Sequence, residues 1–248
     1  MIEDGVQFPD NILRAQRERF GLYLRMCISY PSLEPSDGDG IRDCDILRVH
    51  GMLRDEIPFN DDEILNRSKF QEITSIVGES LRCRIVGYDT QETVQLQPGR
   101  AQRLVPVPQH FWKEGRDFLR NQLLQLKGDL AGNETVIICD AYGLDMYQRL
   151  LIDIRGACHR NSLEEEHEST IGRFEFAKRF LENGVAHLTQ ESFTNQTLID
   201  AFNSARENRR GAFGDPEERV FTHPSIYRRK RRKMYEKFKK NKRPRYSE

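Results

Sequence analysis

The 248-residue sequence has no run of about 18 apolar residues, so no segment reads as a membrane-spanning helix. Its first residues, MIEDGVQFPDN, are acidic and polar. They lack the basic-then-apolar layout of a secretory signal and the Arg/Ser richness of a transit peptide, which points to an intracellular protein. The five cysteines (Cys27, Cys44, Cys83, Cys139, Cys158) include no CxxC pair. An odd, scattered set argues against a disulfide framework or a zinc site and reads as reduced thiols. Cys83 and Cys139 lie in apolar, strand-like runs, where a core role is the default. The six histidines (His50, His110, His159, His167, His187, His223) show no ligand spacing, and no internal repeat occurs.

Net charge is also missing, because 39 Lys/Arg balance 39 Asp/Glu. The balance is uneven along the chain. Residues 228–245, RRKRRKMYEKFKKNKRPR, hold twelve Lys/Arg and one acid, a net +11. Glu248 adds −1, so residues 1–227 carry −10. A block of like charge repels itself and is expected to stay extended until it meets a polyanion. A phosphate backbone is such a polyanion. A nuclear localisation signal or a solubilising tail fits the same composition.

The coarse order of elements is strands, helix, strands, helix, helix. Residues 10–25 read as a helix or helix-to-strand lead-in capped at Asp10. Residues 31–40, PSLEPSDGDG, form a turn-rich loop. Residues 41–52 alternate as a strand, 57–79 form an acidic helix-like stretch, and 81–88 form a second strand. After a Pro/Gln/Arg loop at 94–108, residues 109–127 are a strongly amphipathic helix ending at Gly128. Strands are expected at 134–139 and 149–154. Helices are expected near 171–183, ending at Gly184, and over about 195–210. Few strands alternate with helices, so a compact barrel with packed helices is favoured over a parallel α/β sheet.

The chemistry concentrates in residues 81–93, LRCRIVGYDTQET. Arg84 lies on the strand, and Asp89, Thr90 and Glu92 follow at its end. A carboxylate, a hydroxyl and a second carboxylate make an oxygen-rich patch of the type hard cations such as Ca²⁺ or Mg²⁺ take. Arg84 can grip a phosphate in bidentate fashion. On these residues alone, such a cluster at a strand end is more often a structural ion pair.

The segment resembles the signature of the staphylococcal nuclease-like (thermonuclease-like) family: Arg, four apolar or small residues, Asp, Thr or Ala, Pro, Glu, Thr. Gln91 stands where proline is usual. DMYQRLLIDI (145–154) is similar to the family's Asp-x-Tyr-Gly-Arg-x-Leu-Ala strand, with Arg149 at the second arginine and Gln148 for glycine. FEFAKRFLENGVAHL (174–188) and LIDAFNSARENRRGAF (198–213) resemble the family's last two helices. The resemblance implies an α+β fold: an OB-like five-stranded β-barrel with three packed helices. On this reading a lead-in covers 1–25, the domain spans 26–215 with an insertion near 50–80, and a basic C-terminal tail occupies 216–248.

The function implied is a calcium-assisted (or other divalent-cation-assisted) endonuclease acting on DNA or RNA, with nucleic acid bound by the barrel face and the tail. Arg84 and Arg149 would clamp the phosphate and stabilise transition-state charge. Asp89 and the Thr90 backbone carbonyl would bind the metal, and Glu92 would orient or deprotonate water. The family's first metal carboxylate has two counterparts, Asp39 in SDGDGI and Asp45 in DCDILRV. Either requires an insertion before Arg84, which the 57–79 stretch supplies. The family's nucleotide-stacking tyrosines correspond to Gln190 and Ser192, with Phe193 a neighbouring aromatic, and its phosphate-contacting lysine to Met146. These departures support an alternative: a catalytically inactive module that binds nucleic acid or scaffolds a ribonucleoprotein.

Overall fold

A computed structural model describes residues 22–30, 35, 37–54, 80–92, 109–128, 135–145, 147–163, 170–215, 221, 223–229 and 232–233. The expected helices at 10–21 and 57–79, the loop at 94–108 and Met146 lie outside these residues. The fold is α+β. Strands β1 (Leu22–Ser29), β2 (Gly40–Arg54), β3 (Ser80–Ile85), β5 (Thr135–Leu144) and β6 (Leu150–His159) form a mixed five-stranded sheet. Short strands β4 (Tyr88–Asp89) and β7 (His187–Leu188) pair with each other. The helices are α1 (Trp112–Lys127), α2 (Glu175–Glu182) and α3 (Gln196–Glu207), with a further helical turn, α4, at 224–229. Among these residues no helix is long and apolar enough to cross a membrane.

Pairing runs in the order β1-β2-β3-β6-β5, and β5 returns to β1. Every pair is antiparallel except β3 with β6. That exception matters for the site, since it sets two distant strands side by side and pointing the same way. Alternation then divides the faces. Ile41, Cys83, Ile85, Leu150, Ile152 and Ile154 belong to the main core, while Arg84 between two of them points the other way. All five cysteines are buried free thiols.

The helices are built where the sequence places them. Leu119 and Leu123 of α1 are buried, and Gly128 closes the helix at φ 52° with its N–H donating to the Leu124 carbonyl. Asn195 caps α3 by accepting from the Leu198 N–H. Phe180 of α2 stacks on Tyr88 at 4.3 Å, which anchors β4 to the helical layer. On the outer face, Asp140 of β5 receives Arg25 from β1 and Arg155 from β6, so one buried carboxylate ties three strands together.

One expectation narrows and another changes. The helix-to-strand form of the 10–25 lead-in fits residues 22–25, which are strand paired with β2, Leu24 and Arg25 pairing with β5 as well. The basic segment does not begin as extended chain. Residues 224–229 are helical, since the start of this block finds a polyanionic partner within the protein itself.

Candidate active site

Strand register assembles the site. Gly40 is the cross-strand partner of Arg84, and the Ile85 N–H donates to the Asp39 carbonyl at 2.8 Å. Asp39 is therefore held beside Arg84 by backbone alone. On the other flank, Leu151 is the parallel partner of Arg84. Arg149 lies two residues before Leu151, on the same side of the sheet as Arg84. Asp45 takes a different place. It pairs with Ser80 at the far end of β3 and with Ser29 of β1, away from Arg84.

The turn after β3 brings in the second carboxylate. Gly87, at φ 94°, bends the chain from β3 into β4. Ser192 holds this bend by donating its hydroxyl to the Gly87 carbonyl. Asp89 then faces back toward β3. Arg84 Nη2 stands 3.0 Å from Asp39 Oδ2 and 3.0 Å from Asp89 Oδ1. Glu92 is fixed through its backbone: its N–H donates to Gln109 Oε1 at 3.0 Å and its carbonyl accepts from the Gln109 N–H at 3.2 Å. Gln109, at the entry to α1, thus sets the height of Glu92.

The Asp39 turn is locked by close packing. A Cβ on Gly38 would stand 2.5 Å from Thr90 Cγ2 and 2.8 Å from the Gly115 carbonyl carbon of α1. Tyr88 donates its hydroxyl to the Gly38 carbonyl at 2.9 Å. Thr90 is buried in this junction, and its Oγ1 has no hydrogen-bond partner among the described residues.

Arg149 sits apart from the carboxylate cluster in its own clamp. Its Nη2 and Nε contact Asp145 Oδ2 at 2.7 and 2.8 Å. Asp145 Oδ1 accepts from the Arg149 and Tyr147 N–H groups. Tyr147, 56 % exposed, lies beneath the Arg149 guanidinium at 5.4 Å. Ser192, by contrast, is buried and bonded to the Gly87 carbonyl, and Phe193 packs against the core.

One functional group was not foreseen. Arg228, on α4, reaches the same carboxylate as Arg84, Asp89, and also Glu92. Its Nη2 is 2.7 Å from Asp89 Oδ2, and its Nη1 contacts Glu92 Oε1 and Asp89 Oδ1. Its only sequence signal was its place at the head of the basic run. The segment is docked by more than this arginine. Phe221 stacks on His187 at 4.0 Å. His223 Nδ1 accepts from the Ser225 N–H, so its Nε2–H donates to the Leu188 carbonyl of β7 at 3.0 Å.

The electrostatics follow from this arrangement. Burial pushes the Asp39 carboxyl well above its usual range, and nearby Asp37 and Asp89 add to that. Arg84 and Arg149 offset only part of it. For Asp89, burial also raises the pKa, but the Arg228 hydrogen bonds and the charges of Arg84, Arg228 and His223 outweigh it and hold the group below its ordinary value. The Asp39 end of the site is thus short of positive charge, and the Asp89 end is well supplied.

The oxygen donors fit a hard cation in kind: the Asp39, Asp89 and Glu92 carboxylates and the Thr90 carbonyl. Among the described residues, however, no three His, Cys, Asp or Glu side chains converge into a metal-holding group, because guanidinium groups lie between the carboxylates. No family model matches the chain, and no curated protein matches it.

Proposed function

We propose that this protein is a divalent-cation-dependent phosphodiesterase of nucleic acids, with an OB-like barrel of the staphylococcal nuclease type. The observation that carries the proposal is the convergence of Asp39 and Asp89 on Arg84, with Arg149 two positions from Arg84's strand partner on the same face. The closed ring of five strands and the helices packed on it support the barrel assignment.

In this reading Arg84 and Arg149 bind the scissile phosphate. Arg149 would exchange Asp145 for phosphate oxygens, and its bidentate fork suits both partners. Their fixed charges meet the extra negative charge of the five-coordinate transition state. Glu92, positioned by Gln109, accepts a proton from the attacking water. Asp39, Asp89 and the Thr90 carbonyl would hold the cation, which supplies charge neutralisation at a phosphate oxygen and lowers the pKa of a bound water. Tyr147 is exposed beside Arg149 and offers a ring for a base whose phosphate the arginine holds.

A second reading, a nucleic-acid-binding module without catalysis, is favoured by one observation: Arg228 already spans Asp89 and Glu92. Incubation with single-stranded DNA and RNA, in calcium and then in chelator, separates the two. Chelator-sensitive cleavage that disappears in Arg149→Ala supports the enzyme. Binding without such cleavage by the folded protein sinks it and leaves the module.

A further inference from the structure

We infer that the C-terminal arm is an intramolecular plug, with the Arg228 guanidinium occupying Asp89, a carboxylate that the divalent cation must use, and Glu92, the base beside it. This inference rests on the cation-dependent reading above. Two carboxylates from the β4 turn share one guanidinium, and both of its terminal nitrogens are engaged. Asp89 is almost fully buried, so its oxygens have little water to fall back on. Arg84 already faces Asp89 Oδ1, so it is Oδ2 and the neighbouring Glu92 that call for a second positive charge, from a metal or from the chain. Arg228 fills that requirement from within the chain.

The plug is tethered to a sensor. Arg228 is the first of the twelve Lys/Arg in residues 228–245, the segment with the strongest attraction for a polyanion. Among the described residues its anchors on the body of the protein include Phe221 against His187, Phe111 and Phe213, His223 on the Leu188 carbonyl, and Arg228 itself. A nucleic acid strand that captures the arm draws Arg228 from the carboxylates toward phosphate, and a cation takes the vacated oxygens. Cation and strand then bind cooperatively, each removing the competitor of the other. An ordinary structural ion pair also leaves freed carboxylates when Arg228 is removed, but it does not predict that a bound strand tightens cation binding to the intact protein through Arg228.

The test is calcium binding by calorimetry on the full chain, for wild type, Arg228→Gln, Arg228→Lys and the neighbouring control Arg229→Gln. If the arm is docked nine-tenths of the time, its removal tightens calcium binding about tenfold. Arg228→Gln is expected to show that gain, and Arg228→Lys a smaller one, since lysine keeps the competing charge but not the planar fork. Arg229→Gln should match wild type. Adding an oligothymidylate should tighten calcium binding to wild type more than to Arg228→Gln, in which only the phosphate shared with the cation couples the two. Equal or weaker calcium binding in both Arg228 variants overturns the plug. If wild type nonetheless shows chelator-sensitive cleavage, only the plug falls. If no form binds calcium or cleaves, the cation-dependent reading falls with it.

Discussion

The Nη2 atom of Arg84 lies 3.0 Å from Oδ2 of Asp39, although Asp39 belongs to the turn before β2 and Arg84 to the middle of β3. The contact is set by β2–β3 register, so Asp39 is the carboxylate whose loss should be felt at the site. Asp39→Asn is expected to weaken calcium binding by about tenfold or more, since ligand charge is the main determinant of affinity in oxygen-donor sites. Asp45→Asn, opposite Ser80, should leave it unchanged. Equal effects in the two variants would exclude Asp39 as the first ligand.

Arg149 and Glu92 offer the sharpest separation of chemistry from folding. Glu92→Gln keeps the Gln109 backbone bonds and should lower cleavage by about 10²–10⁴-fold, the usual span for a lost general base. Arg149→Ala should be as severe. Circular dichroism of both variants should match wild type. An active Arg149→Ala protein would assign the cleavage to another site.

Gly38 is a packing requirement. Its missing Cβ leaves room for Thr90 and the α1 backbone at Gly115. Gly38→Ala forces one of these aside and should destabilise the protein by about 1–3 kcal/mol. Because Asp39 is the next residue, calcium affinity should fall together with the urea midpoint. A stable Gly38→Ala protein with normal calcium binding would contradict this packing role.

His187 should make the fold acid-sensitive. Burial, with a contribution from His223, pushes its pKa down from 6.5 to about 3. The unfolded chain therefore takes up the proton first, and stability that is whole above pH 6.5 is lost as pH falls toward 3. At pH near 5 the loss is about 2 kcal/mol. His187→Phe, stacked in the same way on Phe221, should flatten that limb in urea titrations. Asp153 works in the other direction: its burial raises the carboxyl from 3.8 to about 7, and the stability it contributes is lost as pH rises through that window.

Nucleic acid binding should depend steeply on salt. Each single-strand phosphate neutralised contributes about 0.7 to the slope of log K against log salt. Replacing Lys237, Lys239, Lys240 and Lys242 by glutamine should reduce that slope by about 3. An unchanged slope would remove the arm from the interface.

Strands β2, β3, β5 and β6 and helices α1 to α3 were legible because period-2 and helical spacing are strong there, whereas β4 read as continuous with β3, and β7 and α4 carried no local signal. Arg84, Asp89 and Glu92 could be read together because they are neighbours in sequence. Asp39 could be narrowed only to a pair with Asp45, since the choice depends on β2–β3 register and the intervening 55–79 carries no register signal. Local composition left helix and helix-to-strand open for the lead-in at 10–25, and its strand end is decided by pairing with β2 and β5, tertiary contacts that local composition does not carry. Arg228 was hidden for a different reason. In a run of twelve cations nothing local marks the one that folds back, and its partner lies 139 residues away.

The parallel pairing of β3 with β6 also bears on assembly. Arg84 and Arg149 become neighbours only after the chain between them has been laid down and the ring has shut, so their encounter is among the most non-local events in folding. A nascent or proteolysed chain holding β1 to β4 would carry both acidic turns but one of the two arginines. On the proposed function, ring closure is a built-in checkpoint on competence, and phosphate affinity would report on completed topology.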